Sequence, residues 1–298
     1  MQLSQVYLTD EILKFFNLAR DPFDDPQSLQ EMFMPRELEE LARDIVSAVL
    51  RQKFVVIAGR TGCGKSVLKQ RAIFQALEKR PDIRFCIVQN FRKERVNARH
   101  ILSSILLSLN ASAGVPSDDE KLARAIIKLL ADEAMKGHRV IIVIDEAHAL
   151  TVRAFRALKR LFECHKETSG FGFNRACGIL LVGQSELRIK LRARDLDEVR
   201  RRMVAFDMDS LGISKRKKKT GEVTMTFRYA GKYVLERLKS ASRNGAAEKI
   251  LHPESLKLLK ALALTYLDAN VIMSRALKLA FEREKKVVTP DILEKASR

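Results

Sequence analysis

With 298 residues, 46% of them hydrophobic and 31% charged, the chain is long enough for two domains and can bury a sizeable core. Its 55 Lys/Arg against 37 Asp/Glu leave a formal charge of +18, which favours a polyanionic partner, nucleic acid ahead of a membrane surface. No apolar run approaches the ~20 residues of a membrane span, the N-terminus lacks a signal-peptide pattern, and Cys63, Cys86, Cys164 and Cys177 show no C-x-x-C spacing, so the expectation is a cytoplasmic chain with reduced cysteines, no membrane span and no zinc site.

Residues 1–36 read as a lead-in, in which Phe15-Phe16-Asn17-Leu18 and Asp21-Pro22-Phe23 gather aromatic rings beside proline turns. Such rings can line an adenine pocket, pack as an N-terminal lid, or do both. From Pro35 to about Gln52, Leu38, Leu41, Ile45, Ala48 and Val49 recur at helical spacing. The apolar run Phe54-Val55-Val56-Ile57-Ala58 predicts a strand, and Val67, Leu68, Ala72, Ile73 and Leu77 predict a helix running to about Lys79. Between them lies Gly59-Arg60-Thr61-Gly62-Cys63-Gly64-Lys65-Ser66. Strand, glycine-rich turn and helix are the context in which G-x-x-x-x-G-K-[ST] forms a phosphate-binding loop.

The strand Arg84–Val88 follows, then a polar, basic stretch around Phe91–Val96 and helices at about 98–109 and 119–136. Arg139-Val140-Ile141-Ile142-Val143-Ile144 is the near-continuous β-branched run of a strand buried on both faces of a parallel sheet. It ends in Asp145-Glu146-Ala147-His148, before a helix at about 151–165. Gly178–Gly183 and Val204–Met208 complete the predicted strands, with a helix-like stretch, Leu187 to Val199, between them. This alternation predicts an α/β fold, a doubly wound parallel P-loop sheet that binds ligands at the carboxyl ends of its strands. After residue 210, Lys215-Arg216-Lys217-Lys218-Lys219 is expected to be a loop, followed by helices at about 229–241, 253–266, 270–285 and 289–297. Residues 211–298 carry 20 Lys/Arg against 9 Asp/Glu, a net of +11. The expected domains are therefore a lead-in (1–36), a nucleotide-binding core (37–210) and a small, basic, all-helical lid (211–298).

In the phosphate loop, backbone N–H groups of Gly59, Thr61, Gly62, Cys63, Gly64, Lys65, Ser66 and Val67 would curl around the phosphates of ATP, helped by the dipole of the following helix. Lys65 would reach the β- and γ-phosphates, and Ser66 would hold Mg²⁺. Asp145, at the end of a buried strand, needs a partner for its charge, and phosphate-bound Mg²⁺ supplies one. Glu146 can then orient or deprotonate the attacking water. Gln184 either places its amide beside the γ-phosphate or caps the strand end. Arg200 and Arg202, in the run Arg200-Arg201-Arg202, either reach a neighbouring subunit's γ-phosphate or form a solvated patch. His148 packs, caps a helix, or relays nucleotide state.

This order of motifs resembles AAA+ ATPases: phosphate loop, Asp-Glu strand, strand ending in Gln184, arginine cluster, helical lid. Two stretches narrow the resemblance. Phe15-Phe16-Asn17-Leu18 with Asp21-Pro22-Phe23 is similar to the opening of ExeA-like ATPases. Leu181-Val182-Gly183-Gln184-Ser185-Glu186-Leu187-Arg188 is similar to their "LVGQPELR". The same branch holds the transposition ATPases of the TnsC/TniB kind and the phage Mu B protein. The resemblance covers about residues 11–208, and the lid more loosely.

For that group the resemblance implies ATP-dependent assembly of a homo-oligomer, ring or helical filament, on double-stranded DNA, with target-site selection and stimulation of a transposase. It places sequence-tolerant DNA contacts on Lys93 and Arg95, and after them on Lys166 and Arg175. One stretch departs from the family. Where its lid carries a Gly-x-Pro-Arg motif with a nucleotide-sensing arginine, this chain reads Leu267-Asp268-Ala269-Asn270-Val271. Two other readings are distinguishable. A secretion or signalling ATPase acting on protein partners would be indifferent to DNA. A helicase, suggested by the Asp145–His148 string, would need a second RecA-like lobe.

Overall fold

The computed structural model describes residues 7–88, 95–164, 175–217, 223–243 and 246–298. Its elements begin with α1 (Asp10–Phe15), α2 (Arg36–Leu50), β1 (Phe54–Ala58), α3 (Lys65–Lys79) and β2 (Ile83–Val88). They continue with α4 (Ala98–Leu109), α5 (Asp119–Met135), β3 (Arg139–Ile144), α6 (Val152–Glu163), β4 (Gly178–Gly183), α7 (Ser185–Leu191), α8 (Asp197–Arg200) and β5 (Met203–Asp207). A hairpin of β6 (Ile213–Lys217) and β7 (Val223–Phe227) precedes α9 (Ala230–Ala241), α10 (Pro253–Leu262), α11 (Tyr266–Glu282) and α12 (Pro290–Ala296).

The chain forms two units: residues 38–60 and 65–209 in one, and residues 1–37, 61–64 and 210–298 in the other. In the first, five strands make a parallel sheet in the order β2-β3-β4-β1-β5. β1 and β4 are buried at every position, as a strand covered by helices on both faces must be. The edge strands β2 and β5 show exposed positions. Register keeps the carboxyl ends of β1, β4 and β5 level, because Ala58 pairs with both Gly183 and Asp207. Phe54, Phe155 and Phe162 are the largest fully buried side chains of this unit. Each such ring contributes about 1.5–3 kcal/mol on burial.

In the second unit, α1 and the N-terminal stretch share a core with α9–α12. Phe16, Leu18 and Phe23 are buried there among Val234, Leu238, Met273 and Leu277. The aromatic stretch set apart as a lead-in is thus counted with residues 210–298. The chain turns at Asn17, whose φ is 56°, and runs back along α9: Ala19 N–H donates to Ala241 O (2.7 Å) and Arg243 N–H to Asn17 O (3.2 Å). Arg237 of α9, 5% exposed, donates its Nε to Pro22 O (2.6 Å) and a terminal nitrogen to Asp24 O.

Two sequence expectations need correction. Lys215, Arg216 and Lys217 lie in β6, paired antiparallel with β7 through Lys215↔Met225 and its neighbours, rather than in a loop. Val223-Thr224-Met225-Thr226-Phe227 does alternate apolar and polar residues, so the second strand is marked in the sequence and only the basic run masks its partner. α11 begins at Tyr266 rather than near residue 270, because the Thr265 hydroxyl accepts Asp268 N–H (3.0 Å) and caps it. Among the described residues, no helix is long and apolar enough to cross a membrane.

Replacing Arg237 with methionine strands the buried Pro22 carbonyl and removes two charge-assisted hydrogen bonds. It should cost roughly 3 kcal/mol, read as a lowered urea midpoint, whereas Lys239→Met on the exposed side of α9 should change little.

Candidate nucleotide site

The phosphate loop leaves β1 and enters α3 as the sequence predicts. Gly62 (φ 77°) and Gly64 (φ 94°) adopt the left-handed conformation that side chains disfavour. A Cβ on Gly62 would also lie 2.4 Å from Leu267 Cβ and 3.0 Å from Thr265 Oγ1. The Gly62 carbonyl accepts N–H groups from Tyr266 (3.1 Å) and Leu267 (3.4 Å), the opening residues of α11. Thr61 and Ser66 are exposed, while Cys63, Lys65 and Val67 are half-buried. Lys65 Nζ donates to the carbonyls of Gly59 (2.8 Å) and Arg60 (2.9 Å).

Asp209, a residue that the sequence reading passes over, fixes the start of the loop. Its Oδ1 accepts the backbone N–H of Arg60 (2.6 Å) and the hydroxyl of Ser185 (2.8 Å). Its Oδ2 lies 3.6 Å from Arg188, which also pairs with Asp207. Gly59 N–H donates to Gly183 O (3.3 Å), and Met208 N–H to Ala58 O (2.8 Å). The loop's first residues are therefore tied to the strands on both sides of β1.

Two strands away, Asp145 follows β3. Its Oδ1 accepts the N–H of Glu146 (2.9 Å), and its Oδ2 pairs with Lys69 of α3. Glu146 is held at φ 50°, ψ 35°, a left-handed conformation that is strained for a side chain of its size. Its carboxylate is 58% exposed and lies 3.1 Å from His148 Nδ1, without the alignment of a hydrogen bond. Lys190 of α7 ties this turn down by donating to the carbonyls of His148 and Leu150. Burial, with Arg95 nearby, pushes the Lys190 ammonium below its ordinary pKa. Gly183 passes so close to the turn that a Cβ there would lie 3.0 Å from His148 N. Gln184, next in sequence, stands at the N-terminus of α7 with no side-chain cap bond.

A single carboxylate and a serine hydroxyl are hard oxygen donors that suit Mg²⁺ arriving with phosphate oxygens and water. Among the described residues, no cluster of three His, Cys, Asp or Glu side chains could cage a metal alone. As oxygen donors, Ser66 and Asp145 would suit a metal that arrives with a nucleotide.

The other predicted residues are scattered. Arg200 pairs with Asp197 (2.8 Å) and Arg202 with Glu163 (2.9 Å), both half-exposed. Arg95 is exposed and carries a positive φ of 40°. The Arg175 guanidinium stacks 4.1 Å from the centroid of Phe162, and burial, followed by the nearby Arg202, lowers its pKa. Lys93 and Lys166 lie outside the described residues. Asn270, within the stretch Leu267–Val271, accepts from the Tyr233 hydroxyl (2.8 Å) and donates to Phe23 O (3.4 Å).

Residues 48–191 match the AAA domain family. No curated protein matches the sequence at a significant level. Among solved structures, the chain is similar to the ORC2 protein of Aeropyrum pernix in its ADP form, with 19% identity and a TM-score of 0.60 over 93% of this chain and 71% of that one. It is also similar to Cdc6p of Pyrobaculum aerophilum, with 17% identity and a TM-score of 0.62 over 94% and 70%. The ORC1 protein of Aeropyrum pernix, solved in complex with DNA, aligns at 17% identity and a TM-score of 0.52 over 91% and 66%. The likeness is one of fold: the five-stranded parallel sheet with flanking helices is the AAA+ P-loop α/β fold.

Burial pushes the thiols of Cys86 and Cys177 up to about 12, whereas Cys63 and Cys164 are half-buried. In the native protein N-ethylmaleimide should therefore label Cys63 and Cys164 and leave Cys86 and Cys177 until denaturant is added. Peptide mass mapping should show ATP with Mg²⁺ slowing the labelling of Cys63 about tenfold or more, because a phosphate-wrapped loop shields it. Equal labelling of Cys63 with and without nucleotide would argue against phosphate at this loop.

Proposed function

We propose that this chain is an ATPase that binds ATP and Mg²⁺ at its phosphate loop. In the ATP state it assembles as a homo-oligomer, ring or helical filament, on double-stranded DNA, and there it selects a target site and activates a transposase. The observation that supports this most is the gathering of Gly59, Arg60 and Lys65–Val67 with Asp145, Glu146 and Gln184 at the carboxyl ends of β1, β3 and β4. There Lys65 would exchange its two loop carbonyls for phosphate oxygens. Ser66 and Asp145 would hold Mg²⁺, Glu146 would orient the attacking water, and Gln184 would sit beside the γ-phosphate.

Arg200 and Arg202 would act on the nucleotide of a neighbouring copy, leaving Asp197 and Glu163 to do so. Ion pairs this exposed are worth about 0–1 kcal/mol, so the exchange is easy. The +18 charge supports a phosphate-rich partner. Arg153, Arg156 and Arg160 form an exposed row along α6, and Lys93, Arg95, Lys166 and Arg175 would add to the contacts. These groups suit phosphates rather than base edges, so binding would tolerate sequence and weaken steeply with salt. The ORC1 protein whose fold this chain shares was solved with DNA bound. The transposase partner rests on the resemblance carried by Phe15–Phe23 and Leu181–Arg188, and the site of action would be the cytoplasm.

Duplex DNA binding measured by fluorescence anisotropy, with ATP, with ADP and without nucleotide, tests this reading. ATP should tighten binding by about tenfold or more through assembly, and Lys65→Ala should abolish that gain. Binding that ignores nucleotide, or is absent at low salt, sinks the DNA reading. An ATPase rate indifferent to DNA would favour an ATPase that works on protein partners.

A further inference from the structure

Asp145 is the carboxylate that would meet Mg²⁺, yet its charge already has a partner. Lys69 stands one turn after Lys65 on α3, and the i, i+4 spacing puts both ammonium groups on one face of the helix. They part company there. Lys65 Nζ is taken up by the carbonyls of Gly59 and Arg60, whereas Lys69 Nζ pairs with Asp145 Oδ2. The Lys69 side chain is 17% exposed, so the pair is shielded on the lysine side. The second Asp145 oxygen accepts Glu146 N–H, and the Glu146 carboxylate is turned towards His148. Asp145 is therefore a neutralised carboxylate with both oxygens engaged.

We propose that Lys69 is a built-in counter-ion to Asp145, standing in for the divalent cation, so that the loop accepts nucleotide with a weakened dependence on Mg²⁺. The inference rests on the nucleotide reading of the loop and goes one step beyond it. When phosphates arrive without metal, an unpaired Asp145 would repel them, and Lys69 cancels that repulsion. When they arrive with metal, the cation would compete with the ammonium for the Asp145 carboxylate. Both effects shrink the gap between metal-free and metal-loaded affinity. Removing Lys69 should widen it from both sides.

The test is equilibrium titration of a fluorescent ATP analogue into the full chain, once in excess Mg²⁺ and once in EDTA. The readout is the ratio of the two dissociation constants within each variant, which does not depend on how much of a sample is folded. Lys69→Met should widen the ratio by roughly fivefold or more relative to the unaltered chain, and Lys69→Gln should do the same. Lys69→Arg, which keeps the charge, should leave it within about twofold. An unchanged or narrowed ratio in both Lys69→Met and Lys69→Gln overturns the proposal while leaving nucleotide binding intact. An unaltered chain that binds the analogue in neither buffer overturns the nucleotide reading itself, and this proposal with it.

Discussion

The candidate site depends on how the phosphate loop is held at its first two residues. A glycine-rich loop gains its affinity by pointing several N–H groups at one place, and a chain that rich in glycine loses much entropy when ordered. Here the cost is offset locally. Gly59 N–H is bonded to the end of β4, and Arg60 N–H is bonded to the carboxylate of Asp209 just beyond β5. Because β1 lies between β4 and β5 in register, with Ala58 opposite Gly183 and Asp207, both anchors arrive at the same level. The sheet's strand order is thus what makes a rigid loop mouth available.

A carboxylate beside a candidate phosphate site needs its own charge answered, and the structure answers all but that of Glu146. Asp209 lies against Arg60 and Arg188, and Asp207 pairs with Arg188. Asp145 pairs with Lys69, and Glu146 faces His148. Asp145, Asp207 and Asp209 are thereby masked from an anionic ligand, while the Glu146 carboxylate stays 58% exposed. The positive surplus of the chain lies elsewhere, much of it after residue 210 and along the exposed face of α6. Groups that shape the loop are paired, whereas the arginine row of α6 is open to solvent.

How much of this is legible in the sequence depends on the range of the interaction. β1, β3 and β4 announce themselves because strands buried on both faces must be apolar throughout, and the phosphate loop because its glycines serve a local backbone conformation. The partners Asp209 and Lys69 are not legible. Asp209 meets Arg60 across 149 residues and Lys69 meets Asp145 across 76, and no local pattern marks either as more than a surface charge. The Met-Asp that follows β5 and the lysine one turn after Lys65 are the only signals. The hairpin β6–β7 is half hidden for a different reason: three of the five residues of β6 are basic and read as a loop, although Val223, Met225 and Phe227 of β7 carry the period of two that a strand shows.

The stretch around Asn270 also has a physical account. An arginine there would need a phosphate to answer its charge. Asn270 instead accepts the Tyr233 hydroxyl and donates to Phe23 O, within the cluster that buries Phe23 and Phe33 with Tyr233. The residue is neutral and its amide is used on both sides, so it stabilises the unit that contains it and has no charge to offer a nucleotide. In the loop, Lys65 is held only by two carbonyls. The strained turn at Glu146 is pinned through Lys190 and pressed by Gly183, so its conformation is set by contacts from β4 and α7 on one side of the sheet end.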